Sequence, residues 1–324
     1  MLRWIASFLG KHGFRELYWQ EYKPGKWNLY VRRGHAPFLF ASHVDVCYAG
    51  RKPGFLCKNG FIFGAGALDT RGQIAALLYA LSRFRGSVEV VFFSEEETSG
   101  AGSWHFVPPH PFEGAVVLEP TSFAICTAFA GDVEVQMEVK GLGGHGAYPR
   151  GGKSALDIGW ELVRESRKIV ASLRSHPLFV PSLALMWGKM EGGDSSYIIP
   201  ERCSLQCAFP FPPHYTLEEV KGMILDLEKQ YPVAIAIEDE NPAWEISLQE
   251  EVVRRLESAV VEVTHKEPVY AGMPSWTDAT YLFEKGLKSL VFGAGDLALA
   301  HSPREGVSIE ELERLAGIFL SFLG

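Results

Sequence analysis

Short, almost wholly apolar runs recur along the chain and constrain its fold more than any other feature. They lie at residues 37–42, 88–93 and 114–118. Continuous apolar runs of this length are typical of central strands that are covered on both faces. Between the first two runs, residues 71–84 carry leucines and an isoleucine at helical spacing. Strands that alternate with helices predict an α/β sandwich with a mixed, largely parallel sheet.

The pattern changes near Gly131, where apolar residues begin to alternate with polar ones as far as Lys140. A period of two indicates a strand with one solvated face, and hence a more antiparallel sheet. The segments that follow predict helices at 154–172 and 216–230 and strands at 183–190, 202–209 and 232–238, with the proline-rich residues 210–213 ending the second of these strands. Together they form a smaller α+β unit of the βαββαβ type.

After Asn241 and Pro242 the helix-then-strand pattern resumes. A length of 324 residues suggests about two domains, at roughly 150 residues per domain. We therefore predict one α/β domain at 1–130 and 244–324, which the smaller α+β domain at 131–243 interrupts.

Composition excludes several classes of protein. Hydrophobic residues make up 47% of the chain and charged residues 22%, so a folded core is expected rather than disorder. The net charge of −8, without a run of basic residues, argues against a nucleic-acid binder. The sequence has no apolar stretch of about 18 residues, so no membrane span is expected. The first residues lack the apolar core and cleavage site of a signal peptide, which predicts a cytoplasmic protein.

The cysteines point to the same compartment. Five is an odd and low number, which fits a reducing environment better than a disulfide scaffold. Cys203 and Cys207 lie in a strand-like run with no second Cys or His pair nearby, so we expect core positions rather than a metal site. A disulfide between Cys47 and Cys57 is the alternative for those two residues.

Histidines and carboxylates end the predicted strands or lie in the loops beyond them. They are His43, Asp45, Asp69, the glutamates 95–97, Glu119 and His301. Ligands of such sheets bind beyond the carboxyl ends of the strands, so these side chains are expected to meet at one edge. Repulsion among that many acids is costly without cations between them.

The residue types indicate which cations would bind there. Histidines and carboxylates without a thiolate suit Zn²⁺, with Co²⁺ or Mn²⁺ as alternatives. Their number fits two ions, with one carboxylate shared between them. Paired ions lower the pKa of a water and polarise a carbonyl oxygen. Neighbouring glutamates of the triplet point in different directions, so one can ligate while the next serves as a general base.

The motifs, taken in order, resemble the acetylornithine deacetylase / succinyl-diaminopimelate desuccinylase / carboxypeptidase family of dizinc amidohydrolases. They are Ser-His43-Val-Asp45, the glycine-rich run from Gly64 to Gly72 around Asp69, Glu96-Glu97-Thr-Ser-Gly-Ala-Gly102, Glu119-Pro-Thr-Ser122, Gly144-His145-Gly-Ala-Tyr-Pro149, Trp276-Thr277-Asp278-Ala and Ala300-His301-Ser-Pro303. The match covers nearly all of the chain. It implies a catalytic α/β domain and an inserted lid and dimerisation domain.

The resemblance also implies roles for individual residues. Asp69 would bridge the two metals, and a non-proline cis peptide bond would follow it. His43 and Glu119 would complete one site, and Glu97 and His301 the other. Three further residues would act in catalysis: Asp45 would orient His43, Glu96 would be the general base, and His145 would donate a hydrogen bond to the oxyanion in the active site of a second copy of the chain.

Two features of the sequence leave alternatives open. The base and ligand pair is Glu96 and Glu97 by the spacing to the following Thr-Ser-Gly, but Glu95 and Glu96 would also place adjacent carboxylates there. The family's usual Arg before the Pro-Pro stretch, which grips the substrate carboxylate, is missing, and Tyr197 stands where an Asn is usual. The predicted substrate contacts are Arg150 and Arg304, which would substitute for that Arg, and Thr277.

These observations predict a cytoplasmic dizinc amidohydrolase of arginine or lysine biosynthesis. Its substrate would be N-acetylornithine, an N-acyl-lysine or an amino acid conjugated to a carrier protein. A dipeptidase or aminopeptidase of the same family is the alternative. A non-catalytic ligand-binding relative is disfavoured because it would have lost a metal ligand or the base. A metallophosphatase is disfavoured because its site would need more Lys or Arg around the phosphate.

Overall fold

The computed structural model describes residues 1–47 and 54–324. Within them, helices α1–α9 span Leu2–Lys11, Arg71–Arg83, Glu96–Ser99, Ala101–His105, Ala155–Ser172, Leu217–Leu225, Glu251–Thr264, Ala279–Glu284 and Ile309–Leu323. Strands β1–β18 span Glu16–Lys23, Lys26–Arg33, Phe38–His43, Leu56–Lys58, Phe61–Phe63, Val88–Phe93, Gly114–Val117, Ala124–Phe129, Gly131–Lys140, Gly144–His145, Met186–Gly192, Ile198–Ile199, Arg202–Phe211, Val233–Asn241, Trp244–Glu245, Val269–Met273, Ser289–Val291 and Gly306–Ser308. Short 3₁₀ turns cover Pro149–Gly151, Asp226–Lys229 and Leu297–Leu299.

The described chain divides into two compact units. The first comprises Met1–Thr127, Ile246–Ala271 and Thr277–Gly324, and the second comprises Ala128–Glu245 and Gly272–Trp276. The sequence predicts domain boundaries at 130/131 and 243/244, whereas this division falls at 127/128 and 245/246 and places residues 272–276 with the second unit. No helix in the described ranges is both long and apolar enough to cross a bilayer.

The first unit is built on a mixed sheet whose strand order is β1-β2-β6-β3-β7-β17-β8. The neighbours β6, β3, β7 and β17 are mutually parallel, whereas β1, β2 and β8 pair with their neighbours in antiparallel orientation. Every residue of the parallel strands is buried. This confirms the α/β fold, because continuous apolar runs mark strands that are covered on both faces.

Helix α9 provides part of that cover. It packs against α2 and α7, and its Phe319 and Phe322 meet Phe40 of β3 with ring centroids 5.4 and 5.3 Å apart. Its first turn is fixed by a capping box, in which Ser308 Oγ accepts from the Glu311 amide and Glu311 accepts from the Ser308 amide. Helix α9 thus covers one face of the parallel strands through its aromatic residues.

The second unit contains the antiparallel sheet β11-β13-β9-β14. Along β9, buried residues alternate with solvated ones, as the period of two predicts. Val133, Val135, Met137 and Val139 form a core with the buried face of α5. The order β9, α5, β11, β13, α6, β14 is the βαββαβ arrangement expected from the sequence.

Several elements differ from the sequence-based expectation. Strand β1 was not predicted, since its exposed and half-buried residues give no continuous apolar run. Strand β13 continues through Pro210 to Phe211 instead of ending before it. Its partner β11 pairs only as far as Ala208, so a proline beyond that point removes no hydrogen bond to β11. Helix α6 ends at Leu225 and continues as a 3₁₀ turn.

Candidate metal centre

The side chains of the site come from the carboxyl ends of the parallel strands and from nearby loops. Strand β3 ends in a histidine, a glutamate follows β7 closely, and α3 opens with two glutamates just after β6. An aspartate before α2 and a histidine after the last 3₁₀ turn lie beside them. The structure thus brings together His43, Asp69, Glu96, Glu97, Glu119 and His301.

The two oxygens of Asp69 face different histidines. Oδ1 lies 3.1 Å from His43 Nε2, and Oδ2 lies 3.2 Å from His301 Nε2. Asp69 and His43 are buried, whereas the His301 side chain is about half exposed. One carboxylate is therefore shared between an inner and an outer histidine.

Each histidine also faces carboxylates of its own. His43 Nε2 is 3.6 Å from Glu119 Oε1 and 3.9 Å from Glu96 Oε2. His301 Nε2 is 2.9 Å from Glu97 Oε2. The donors thus form two groups that meet at the shared aspartate.

Asp45 holds the backbone of the two glutamates. Its Oδ1 accepts from the Glu96 amide at 3.3 Å, and its Oδ2 accepts from the Glu97 amide at 3.0 Å. The same carboxylate lies 3.7 Å from His43 Nδ1. Burial raises the pKa of Asp45, but the contact with His43 and the Glu97 amide outweigh burial and leave that pKa below its ordinary value. Asp45 is therefore an anion that holds the backbone of Glu96 and Glu97 and faces the ring of His43.

A second buried carboxylate shapes the loop that carries Asp69. Glu305 Oε1 accepts from the amides of Gly66, Leu68 and Asp69 at 2.7, 3.2 and 3.3 Å. Gly66 has φ +81°, and a Cβ there would lie 2.4 Å from a neighbouring side chain, so the loop requires glycine. The bond between Asp69 and Thr70 is cis, which confirms the expectation from the sequence.

The electrostatics of the site follow from this crowding. Burial raises the pKa of Glu96 and that of Glu119 well above their ordinary values. Burial alone would lower the pKa of His43, but the carboxylates of Glu96 and Glu119 outweigh it and raise that pKa. Hydrogen bonds to Asp69 and Glu97 raise the pKa of His301 to about 11. Each carboxylate stabilises positive charge at this edge of the sheet.

The donor chemistry fits divalent cations better than protons alone. Glu119 Oε1 is buried and has no hydrogen-bond partner in the described structure, although it faces His43. A buried, unpaired carboxylate oxygen is costly unless a cation meets it. Histidine nitrogens and carboxylate oxygens are the ligands that Zn²⁺ takes at hydrolytic sites. His43, Asp69 and Glu119 are suited to hold one ion, and Asp69, Glu97 and His301 the other.

Comparison with known proteins agrees with this chemistry. The family model for Peptidase family M20/M25/M40 matches residues 39–324. The chain belongs to this family. It is accordingly a hydrolase of a metal-dependent family, and the expected relationship is confirmed.

Curated relatives span most of the chain. A Bacillus subtilis N-formyl-4-amino-5-aminomethyl-2-methylpyrimidine deformylase is 25% identical, over 99% of this chain and 87% of its own length. A Vibrio atlanticus acetylornithine deacetylase is 28% identical, over 90% and 82%. Among solved structures, a Staphylococcus aureus tripeptidase superposes with a TM-score of 0.78 at 16% identity, over 99% of this chain and 91% of that one. A Saccharomyces cerevisiae dipeptidase gives 0.77 at 14%, over 99% and 89%. The superpositions show that the family fold is present.

The three glutamates 95–97 of this M20 chain do not all belong to the donor groups. Glu95 has φ +67° and its carboxylate lies 2.7 Å from Lys26 Nζ and 3.2 Å from the Tyr22 hydroxyl. It thus points away from the donor groups, whereas Glu96 and Glu97 belong to them. This geometry supports the pair Glu96 and Glu97 over the alternative pair one residue earlier.

Two neighbours of the site were not assigned a role from the sequence. The Cys47 amide donates to Glu97 Oε1 at 3.1 Å, and the Cys47 sulfur lies in one donor group with Glu97 and His301. Asp278 is fully buried close to Glu96 and His43, and burial raises its pKa to about 7. The Trp-Thr-Asp motif was the available signal for Asp278, whereas the sequence marked Cys47 only as a candidate for a disulfide with Cys57. The described cysteines are free, so Cys47 and Cys57 are not bridged.

The other residues predicted from the sequence have the following environments. His145, on β10 of the second unit, is exposed and accepts a hydrogen bond from the Ala147 amide at Nδ1. Arg150 and Arg304 are exposed. Thr277 is buried, and its hydroxyl accepts from the Ala279 amide at the start of α8. That environment is typical of a helix-capping role, and it leaves the Thr277 hydroxyl little surface to offer a substrate.

Proposed function

We propose that the protein is an N-acyl amino acid deacylase that hydrolyses the amide bond with two divalent ions, preferably Zn²⁺. The observation that carries this proposal is the position of Asp69, whose two oxygens face His43 and His301 separately. A shared carboxylate between two donor groups supports a paired site rather than a single ion. The deformylase and deacetylase names of the curated relatives support an acyl amide as substrate.

Glu96 is the general base of the proposed reaction. Divalent ions at such a site polarise an amide carbonyl and make water nucleophilic near neutral pH. Glu96 takes a proton from the attacking water and later gives it to the leaving amine nitrogen. Its carboxylate lies beside the donor groups, with Oε2 3.9 Å from His43 Nε2. Asp45 keeps Glu96 in place through the amide contact, and keeps the imidazole of His43 oriented.

His145 completes the proposed site from a second copy of the chain. It is exposed, and its loop is rich in glycine, which allows a close approach to a ligand. We infer a homodimer through the second unit, in which this histidine donates to the developing oxyanion. Arg304, or alternatively Arg150, would bind the substrate carboxylate. The biosynthetic role, the carrier-conjugated substrate and the cytoplasmic location belong to the same proposal.

A substrate panel tests the proposed reaction. The protein with Zn²⁺ or Co²⁺ is assayed on N-formyl, N-acetyl and N-succinyl amino acids and on dipeptides of the same residues. We expect the N-acyl compounds to have the higher kcat/KM. Faster cleavage of dipeptides would identify the protein as a peptidase rather than a deacylase. No hydrolysis of either class would favour a ligand-binding relative.

Matched glutamine variants test the roles of the glutamates. Glu96→Gln should keep its metal content while kcat falls by roughly 10²–10⁴. Glu97→Gln should instead lose metal, and Glu95→Gln is the control outside the donor groups. Loss of metal in Glu96→Gln with retention in Glu97→Gln would move the assignment by one residue.

A further inference from the structure

A second cluster of histidines and a carboxylate lies at the opposite edge of the same sheet. Glu89 is near the start of β6, His35 precedes β3, and His110 precedes β7. Because β6, β3 and β7 are parallel, the three residues meet at the amino edge. At about 3.3 Å per residue, the position of Glu89 is about 13 Å along β6 from its carboxyl end. The cluster is therefore separate from the metal centre described above.

The carboxylate of this cluster is fully buried. Its Oε1 accepts from the Ala36 amide at 3.0 Å, and its Oε2 accepts from the Tyr30 hydroxyl. Both donors are neutral. No Lys or Arg of residues 1–47 and 54–324 forms an ion pair with Glu89. A buried carboxylate needs a cation, and here the two imidazoles are the groups that face it.

The ring of His110 is oriented as that of a metal-bound histidine. Its Nδ1 is 3.0 Å from the Pro111 carbonyl oxygen, which can only accept, so Nδ1 carries a proton. Its Nε2 lies 2.9 and 3.0 Å from the two oxygens of Glu89. In the neutral ring that nitrogen presents a lone pair to a carboxylate, so the contact needs a cation between the two groups, either a proton on Nε2 or a metal ion. A ring N–H donated to a backbone carbonyl is the usual support of a metal-bound histidine.

His35 supplies the third donor. Its Nδ1 is 3.8 Å from Glu89 Oε1, and its ring lies edge-on to that of His110 with centroids 5.1 Å apart. Around a tetrahedral Zn²⁺, with bonds of about 2.0–2.2 Å, neighbouring donors lie about 3.4 Å apart. The observed separations of 2.9–3.8 Å bracket that value. They also match the 2.9–3.9 Å separations within the M20 metal centre.

We propose that His35, Glu89 and His110 form an additional zinc site at the amino edge of the sheet. His35 is 73% exposed at its side chain, so an ion has access and water can complete its coordination. Tyr30 and the Ala36 amide donate hydrogen bonds to the carboxylate and would fix its orientation toward the ion. The ion joins the segments before β3 and β7 to β6. Its role is to stabilise this edge rather than to hydrolyse substrate.

Metal counting tests the site without reference to activity. Wild type, the double variant His35→Asn/His110→Asn and the control His265→Asn are dialysed against micromolar buffered free Zn²⁺, and bound zinc is measured by mass spectrometry. His265 is also exposed, and its φ of +55° is one that asparagine tolerates. We expect the double variant to bind about one ion fewer per chain and the control to match wild type. Equal zinc in all three proteins would mean an ion pair only, and would overturn the proposal.

A second measurement separates this site from the hydrolytic centre. In an Asp69→Ala background, added Zn²⁺ should raise Tm, and His35→Asn/His110→Asn should abolish that rise. If far-UV circular dichroism shows that the double variant is unfolded, His35→Asn alone is used, because its exposed ring is not part of the core. Its zinc affinity should fall at least about tenfold. An unchanged affinity in that variant would refute the site.

Discussion

Replacing Asp45 with asparagine should weaken metal binding although Asp45 is not among the proposed ligands. The carboxylate accepts from two amides, those of Glu96 and Glu97, and faces His43 Nδ1. Asparagine keeps one acceptor oxygen but turns an N–H group toward a second donor. One charge-assisted hydrogen bond is therefore lost, which costs about 1.5–3 kcal/mol. At about 1.4 kcal/mol per tenfold change, that corresponds to roughly 10- to 150-fold.

The loss should appear in metal affinity and in kcat/KM together. The backbone of both α3 glutamates and the ring of His43 contact this one anion, so a fall of about 10- to 100-fold is expected in metal affinity and in kcat/KM. Zinc affinity is measured by competition with a chelator, and kcat/KM is measured at saturating zinc. Asp226→Asn, an exposed aspartate on the second unit paired with Lys229, is the control. If Asp45→Asn bound zinc as tightly as wild type, the inference that these two amide contacts position the ligands would be refuted.

Further predictions concern the shared ligand, the dimer and pH. Asp69→Ala should remove both hydrolytic ions, as counted after dialysis; two ions retained would exclude a bridge. Mixed dimers of inactive His145→Ala and inactive Glu96→Gln should regain activity, unless His145 acts within its own chain. Burial raises the pKa of Asp132 to about 6, so the folded state binds an extra proton and the free energy of unfolding falls as pH rises from about 4 to 6. Asp132→Asn should add about 1–3 kcal/mol at pH 7 and flatten that slope in urea titrations; an unchanged slope would contradict it.

Much of the site could be predicted from the sequence because each strand end is recognisable from a few neighbouring residues. An apolar run followed directly by His43 specifies both the strand and the position of its last side chain. The alternating residues of β9 likewise predicted the antiparallel sheet of the second unit. Neither inference depended on contacts between distant segments, and both segments have strong periodicity.

Contacts that depend on loop paths were beyond sequence reasoning. The Cys47 amide contacts Glu97 from a separate segment of the chain. No residue pattern predicted the positive φ of Glu95, which precedes Glu96 and Glu97. The cluster at the amino edge combines three separate segments. Its one local signal was Glu89, a lone carboxylate within an apolar strand, and its partners became apparent only from the parallel register of the sheet.

The grip of Glu305 on the loop before α2 has a consequence for synthesis. The amide groups that place Asp69 are held by a residue that is encoded after every proposed metal ligand. Until the ribosome has added and released residues 301–305, the loop lacks Glu305 and His301 is absent as well. A nascent chain therefore has an incomplete donor set, even when the strands that carry His43 and Glu119 have emerged. Under the proposed function, hydrolytic activity is expected only after translation has passed Glu305.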